Sequence, residues 1–208
     1  MKKLLHIIAT PREDESQTLR VSNAFLEAFT PAHHDWTLEE LHLFKEALPP
    51  LTIERVDGKY VLLSGKDLPG NLKEAWDDII GHINKFLSAD GYLITAPMWN
   101  FSIPYVLKHY LDIIVQPKYL FRYTANGVEG LVKNRKMVIV TSRGGDYRSA
   151  ETRAFDHQEP YLKTIFTFVG VEDIAFVNSQ PMDASGPQVR DQKIETACAL
   201  ARSLGEKF

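Results

Sequence analysis

Gly91-Tyr92-Leu93-Ile94-Thr95-Ala96-Pro97-Met98-Trp99-Asn100-Phe101-Ser102-Ile103-Pro104 is the stretch on which the fold turns. Gly91 to Ala96 read as a buried strand, and two prolines then stiffen a loop. From Ile103 to Val115 the apolar residues Ile103, Val106, Leu107, Tyr110, Leu111 and Ile114 fall on one helical face. Strand, loop and helix in that order are the repeating unit of a parallel sheet.

The same alternation extends to both sides. Leu4 to Ala9 form an apolar run without helical period, and Leu19 to Phe29 follow as a helix. Trp36 to Leu43 suit a second strand, and Asn71 to Ser88 the clearest helix of the chain. Ala47 to Gly70 carry Pro49-Pro50, Gly58, Gly65 and Pro69-Gly70 and read as a long excursion. After an aromatic-rich loop come a strand at Met137 to Thr141 and a helix entered at Pro160 and stopped at Gly170. A fifth strand at Asp173 to Val177 and a closing helix after Pro187 complete the pattern. Five strands alternating with helices predict an α/β fold, a five-stranded parallel sheet with helices on both faces, as one domain over residues 1–208.

Bulk properties narrow the function. At 44% hydrophobic residues over 208 positions a sizeable core is available. A net charge of -3 argues against a nucleic-acid partner or an anionic membrane surface. Cys198 is the one cysteine, on an apolar helix face, so it reads as a buried, inert thiol in a reducing compartment. The opening Lys2 to Ala9 is too short and too soon charged for a secretory signal, and no apolar run reaches membrane-spanning length. A cytoplasmic protein is expected.

Parallel sheets bind ligands beyond the carboxyl ends of their strands, which directs attention to the loops after Ala9, Ala96 and Thr141. Dinucleotide, nucleotide-hydrolase, serine-hydrolase and zinc-protease motifs are absent; Gly65-Lys66, for one, is followed by Asp67. His33-His34 read as solvated turn residues, and no metal site is expected. The first loop offers Thr10, Ser16, Gln17 and Thr18, either a neutral phosphate cradle or plain helix capping. The second, Pro97 to Phe101, suits a flat ring or a hydrophobic lid. The third, Ser142-Arg143-Gly144-Gly145, lets backbone N–H groups approach a ligand, or makes an ordinary tight turn.

Taken together, these loops resemble those of the FMN-dependent NADH azoreductases, relatives of the flavodoxin-like NAD(P)H:quinone reductases. The flavin loop is matched by Pro97-Met98-Trp99-Asn100-Phe101, continued by Pro104, Leu107-Lys108 and Asp112. Phe121-Arg122-Tyr123-Thr124 matches the family's Phe-x-Tyr-Thr segment, and Ser142 to Gly145 its Ser-Arg-Gly-Gly loop. Trp99 replaces a usual tyrosine and Thr10 a usual serine, while Val56 to Gly70 match no family pattern.

The resemblance implies a flavodoxin-like fold, FMN held by the three loops, NADH or NADPH as donor, and a quinone or azo substrate. Electrons are expected to pass in pairs by alternating half-reactions, with no catalytic acid, base or nucleophile from the protein. Asn100 N–H is expected near the flavin N5 and the Gly144 and Gly145 amides near its N1–O2 edge. Phe121, Tyr123 and Tyr147 are candidate walls of the substrate pocket, or core packing. A homodimer is implied, with Tyr119 to Tyr123 meeting a twin subunit. Changing Ser16 and Thr18 together to alanine is expected to weaken FMN binding and leave the fold intact. The rival readings are a flavodoxin-type electron carrier and a non-enzymatic FMN-binding module.

Overall fold

A computed structural model describes residues 1–183 and 186–208. The chain begins with β1 (Lys2–Ile8), a 3₁₀ turn (Glu13–Glu15), α1 (Gln17–Ala32) and β2 (Trp36–His42). It continues through α2 (Ile53–Leu63), α3 (Gly70–Leu87), β3 (Gly91–Thr95) and α4 (Tyr105–Ile114). Then come β4 (Phe121–Thr124), β5 (Gly127–Gly130), β6 (Lys136–Ser142), α5 (Ala150–Arg153), α6 (Glu159–Val169), β7 (Asp173–Ser179) and α7 (Pro187–Glu206).

The main sheet has five parallel strands in the order β2-β1-β3-β6-β7. Strand order reverses between β1 and β3, which opens a crevice at their carboxyl ends. Register makes that crevice shared: Ile8 lies opposite Thr95, and Thr95 opposite Val140. The loops after β1, β3 and β6 therefore leave the sheet at one level, side by side.

Side-chain alternation on the strands feeds two cores. Tyr92 and Ile94 of β3 point to one face, where Trp76, Ile79, Ile83, Tyr110 and Phe166 cover the sheet. Leu93 points to the other, where α1 and α7 supply Val21, Phe25, Ile194, Cys198 and Ala201. Cys198 is buried as its helical spacing indicated, and burial pushes its thiol pKa up, which keeps it protonated and inert.

Several local expectations need correction. The stretch Ala47 to Gly70, read as an excursion, contains α2, capped by Thr52 through the N–H of Arg55. Gly58, taken as a breaker, lies inside that helix because a Cβ there would sit 2.2 Å from Nε1 of Trp76. Trp76 Nε1 then donates to Arg55 O at 3.1 Å, so the missing side chain makes room for an indole. The aromatic-rich loop holds the antiparallel β4–β5 hairpin. α4 starts at Tyr105, two residues later than its apolar pattern, because the residue before Pro104 is kept out of helical conformation. His33 is no solvated turn residue: its Nε2 bonds Gly205 O at 3.0 Å and its ring stacks on Phe29.

Candidate functional site

The loop after β1 is built around the start of α1. Ser16 is its N-cap, its Oγ accepting from Leu19 N at 3.2 Å, and Thr10 is buried beside it. Thr18 is 2% exposed, and its Oγ1 shares a hydrogen with Ser142 Oγ at 2.5 Å, joining the first loop to the third. Both hydroxyls thus make bonds within the fold, and for Ser16 the bond is the helix cap that the sequence allowed as one of two readings. Gln17 differs: its Oε1 is buried and meets no donor among the described residues.

Beneath this loop a row of hydroxyls runs into the sheet. His6 Nε2 lies 2.7 Å from Thr95 Oγ1, which lies 2.6 Å from Ser22 Oγ, which donates to Thr18 O at 3.3 Å. Burial lowers the His6 pKa; Glu40, 3.6 Å from Nδ1, opposes that without reversing it. The ring is therefore neutral near pH 7 and joins the row through Nε2.

The second loop is a tight reversal. Trp99 N donates to Ser102 O at 2.9 Å and Ser102 N to Trp99 O at 3.0 Å. Between them Asn100 and Phe101 have φ of 47° and 69°, the pair of left-handed residues of a type I′ turn. Asn tolerates that conformation; Phe at the position where Gly is usual stores about 1–3 kcal/mol. The surroundings hold it: Met98 N donates to Ser142 O at 2.8 Å and His157 N to Phe101 O at 2.9 Å.

The third loop hangs on Arg143. Its side chain is 2% exposed and turned inward, reaching Asp156 Oδ2 at 2.8 Å, Glu159 Oε2 at 3.3 Å and Gln158 Oε1 at 3.2 Å. Gln158 Nε2 in turn donates to Ala96 O at 3.1 Å, at the root of the second loop. Asp156 also accepts from the N–H groups of Gln158 and Glu159, just ahead of α6, whose N-cap is Gln158. The run from Asp156 to Glu159, not singled out from sequence, is the bracket that holds two loops. Its signal was Asp-x-x-Glu before Pro160, the pattern of a capping box.

Ten of the residues expected at the site line one cavity of about 320 Å³. They are Thr10, Ser16, Gln17 and Thr18, then Pro97, Met98 and Trp99, then Ser142, Arg143 and Gly144. A Cβ on Gly144 would come within 2.8 Å of Asp183 Oδ2, the free end of an exposed side chain, so glycine leaves the backbone open here without being demanded by packing. Asn100 borders instead a neighbouring cleft of about 740 Å³ with Trp99, Ile103, Tyr105 and Tyr161. Phe101 and Gly145 line neither.

The proposed wall residues scatter. Phe121 is 5% exposed and packs on Phe168 as core, Tyr123 is exposed on the hairpin, and Tyr147 lines a groove with Arg143 and Lys193. Sequence reading missed Arg12, Met182, Asp183 and Arg190, which also line the cavity. Among the described residues no cluster of His, Cys, Asp and Glu could hold a metal, and no helix is long and apolar enough to cross a membrane.

Known proteins resemble this chain in sequence and fold. The chain is 34% identical over 209 residues to an FMN-dependent NADH:quinone oxidoreductase of Desulfotalea psychrophila, covering 100% of this chain and 98% of that one. A protein of the same description from Coprothermobacter proteolyticus is 35% identical, with 100% of each chain covered. An azoreductase structure from Bacillus anthracis superposes with a TM-score of 0.91 at 27% identity over 100% of both chains. A second from that species, an FMN-dependent NADH-azoreductase in complex with FMN, gives 0.84 at 28% identity, with 99% of this chain and 100% of that one covered. A family model described as flavodoxin-like fold matches residues 2–204, and the chain belongs to that family, alongside the FMN-dependent NADH:quinone oxidoreductases.

Proposed function

We propose that this chain binds FMN and uses NADH, or NADPH, to reduce quinones and azo compounds. The observation that carries this is the convergence of three loops, distant in sequence, on one cavity at the switch point of the sheet. FMN fits the residues present. Hydroxyls of Thr10 and Ser16 and the free N–H groups of the α1 start suit its phosphate, and the unpartnered Gln17 Oε1 suits a ribityl hydroxyl. Pro97, Met98 and Trp99 offer a flat, largely apolar wall for the ring.

When bound, FMN supplies the electron transfer between nicotinamide and acceptor. The chain's own work is placement. The Arg143 bracket keeps the second and third loops at fixed separation, and Gly144 lets backbone approach the ring edge. The 740 Å³ cleft beside Trp99 and Tyr105 gives an aromatic ligand room next to the ring. No acid, base or nucleophile is assigned to the protein.

The 208 residues act as one domain, since both cores share one sheet, and as a homodimer. Support for the dimer comes from Phe101, Tyr105 and Phe155, large apolar side chains exposed by 49%, 69% and 53%. The single buried cysteine suits the cytoplasm. The test is the visible spectrum of purified protein before and after NADH, then with a quinone. A flavin band that bleaches and recovers is expected. Absence of flavin after reconstitution, or bleaching without turnover of quinone or azo dye, overturns the enzyme reading. Sedimentation as a monomer at micromolar concentration overturns the dimer.

A further inference from the structure

The main sheet ends on two edge strands, β2 and β7, of 7 residues each. A free edge presents unpaired N–H and C=O groups, and proteins commonly blunt it with charges, proline or shortness. β2 is blunted: Glu39 and Glu40 stand mid-strand, and Lys3 holds Glu39 at 2.9 Å. β7 is not. From Ile174 to Ser179 it carries neither charge nor proline. Among the described residues its backbone bonds only to β6 and to Arg143 directly after it.

The groove that Tyr147 lines, about 710 Å³, opens on this strand with walls from α6 and α7. Phe176 and Val177 of β7 line it, and their side chains turn to opposite faces of the sheet. Leu200 of α7 adds an apolar side chain that is 47% exposed. Its charges are unbalanced. The carboxylates Asp156 and Glu159 are held by Arg143, and Arg148 is held by Asp146. Arg153, Lys163 and Lys193 also line the groove, and among the described residues they enter no ion pair.

Charge decides what fits. A second copy paired edge to edge across a two-fold axis would bring these cations against their own equivalents, which is unfavourable. An extended chain carrying carboxylates meets cations on both sides, Lys163 from α6 and Lys193 from α7. We propose that the free edge of β7 is a docking site for an acidic, extended segment of a partner protein, added as a sixth strand. Backbone bonds to β7 hold the segment, and the three cations select its charge.

The experiment is fluorescence anisotropy of a labelled, end-blocked peptide of about ten residues, alternating valine and glutamate, titrated with the full chain. It should bind, and β7 amides should exchange more slowly in the complex, because edge N–H groups become paired. Affinity should fall with salt, and Lys163→Glu with Lys193→Glu should weaken it by at least about tenfold. Melting of that variant beside the parent reports its fold. Two further peptides probe the parent alone, one with lysine for glutamate and one with proline for alternate valines. Neither should bind. Equal binding of the proline peptide means that the cations attract any acidic chain without adding a strand, and the proposal fails. Equal binding of the lysine peptide, or no binding of the acidic one, also overturns it. Tighter binding of a short oligonucleotide would make the groove a nucleic-acid site instead. Protection of β7 amides that rises with protein concentration, without peptide, would give the edge to a second copy.

Discussion

The two ends of the cavity are built on opposite plans. At the end built on the start of α1, proposed for the phosphate, residues close in sequence hold the fold: Ser16 caps α1, and Thr18 ties that helix to Ser142. At the end proposed for the ring, Pro97 to Trp99 line the cavity, but the shape of their loop comes from residues about sixty positions later. His157 holds Phe101 O, and Gln158 holds Ala96 O while gripping Arg143. A helix start is regular backbone with ready N–H groups, so it needs only a cap. A reversed loop with two left-handed residues is unfavourable by itself and needs outside restraint.

The largest effect should come from the restraint. Replacing Arg143 by Met leaves Asp156 and Glu159 facing a buried apolar group. The expected cost is about 3–5 kcal/mol of stability in urea unfolding. FMN binding should weaken too, although the Arg143 guanidinium is engaged with Asp156 and Glu159. A loss below about 1 kcal/mol would show that the ring end holds its own shape, and the contrast between the ends would collapse.

Next comes the phosphate end. Ser16→Ala should cost about 1 kcal/mol through the lost cap, measured on the flavin-free protein. Thr18→Ala should cost about as much through its bond to Ser142. The pair together should weaken FMN binding beyond what riboflavin loses. Unchanged stability of the flavin-free double variant would mean that these hydroxyls serve the ligand alone.

Phe101→Gly sharpens the comparison from the other side. Relief of the left-handed strain should raise the stability of the flavin-free protein by up to about 1 kcal/mol. Its turnover with NADH and quinone should nevertheless fall, since a freer loop positions the ring less well. A variant both more stable and equally active would remove the strain from the functional account.

The smallest effect concerns pH. Burial holds the folded pKa of His6 below the ordinary 6.5, so the unfolded chain takes up that proton first. Stability should therefore be full above about pH 6.5 and decline as pH falls below it. His82, lowered by burial as well, adds to the same slope. His6→Gln should flatten part of the decline in acid melting curves; an unchanged slope would locate it elsewhere.

How much was legible follows from the range of each interaction. The parallel sheet and the cluster of three loops follow from local signals: apolar runs, helical spacing and the motifs at Thr10–Thr18, Pro97–Phe101 and Ser142–Gly145. Periodicity is a property of consecutive residues, and the strand ends must meet once the sheet is parallel. Gly58 was illegible because glycine carries one meaning to a sequence and another to a neighbour: only Trp76, 18 positions on, explains it. Phe121 was ambiguous for a like reason, since an aromatic on a hairpin becomes core only when Phe168 packs against it. The sequence by itself determined the layers, the strand ends and the hydroxyls at them. Only the tertiary structure decided that Arg143 faces inward while Arg190 reaches the cavity, because a charge's role depends on which other charges the fold brings within a few ångströms.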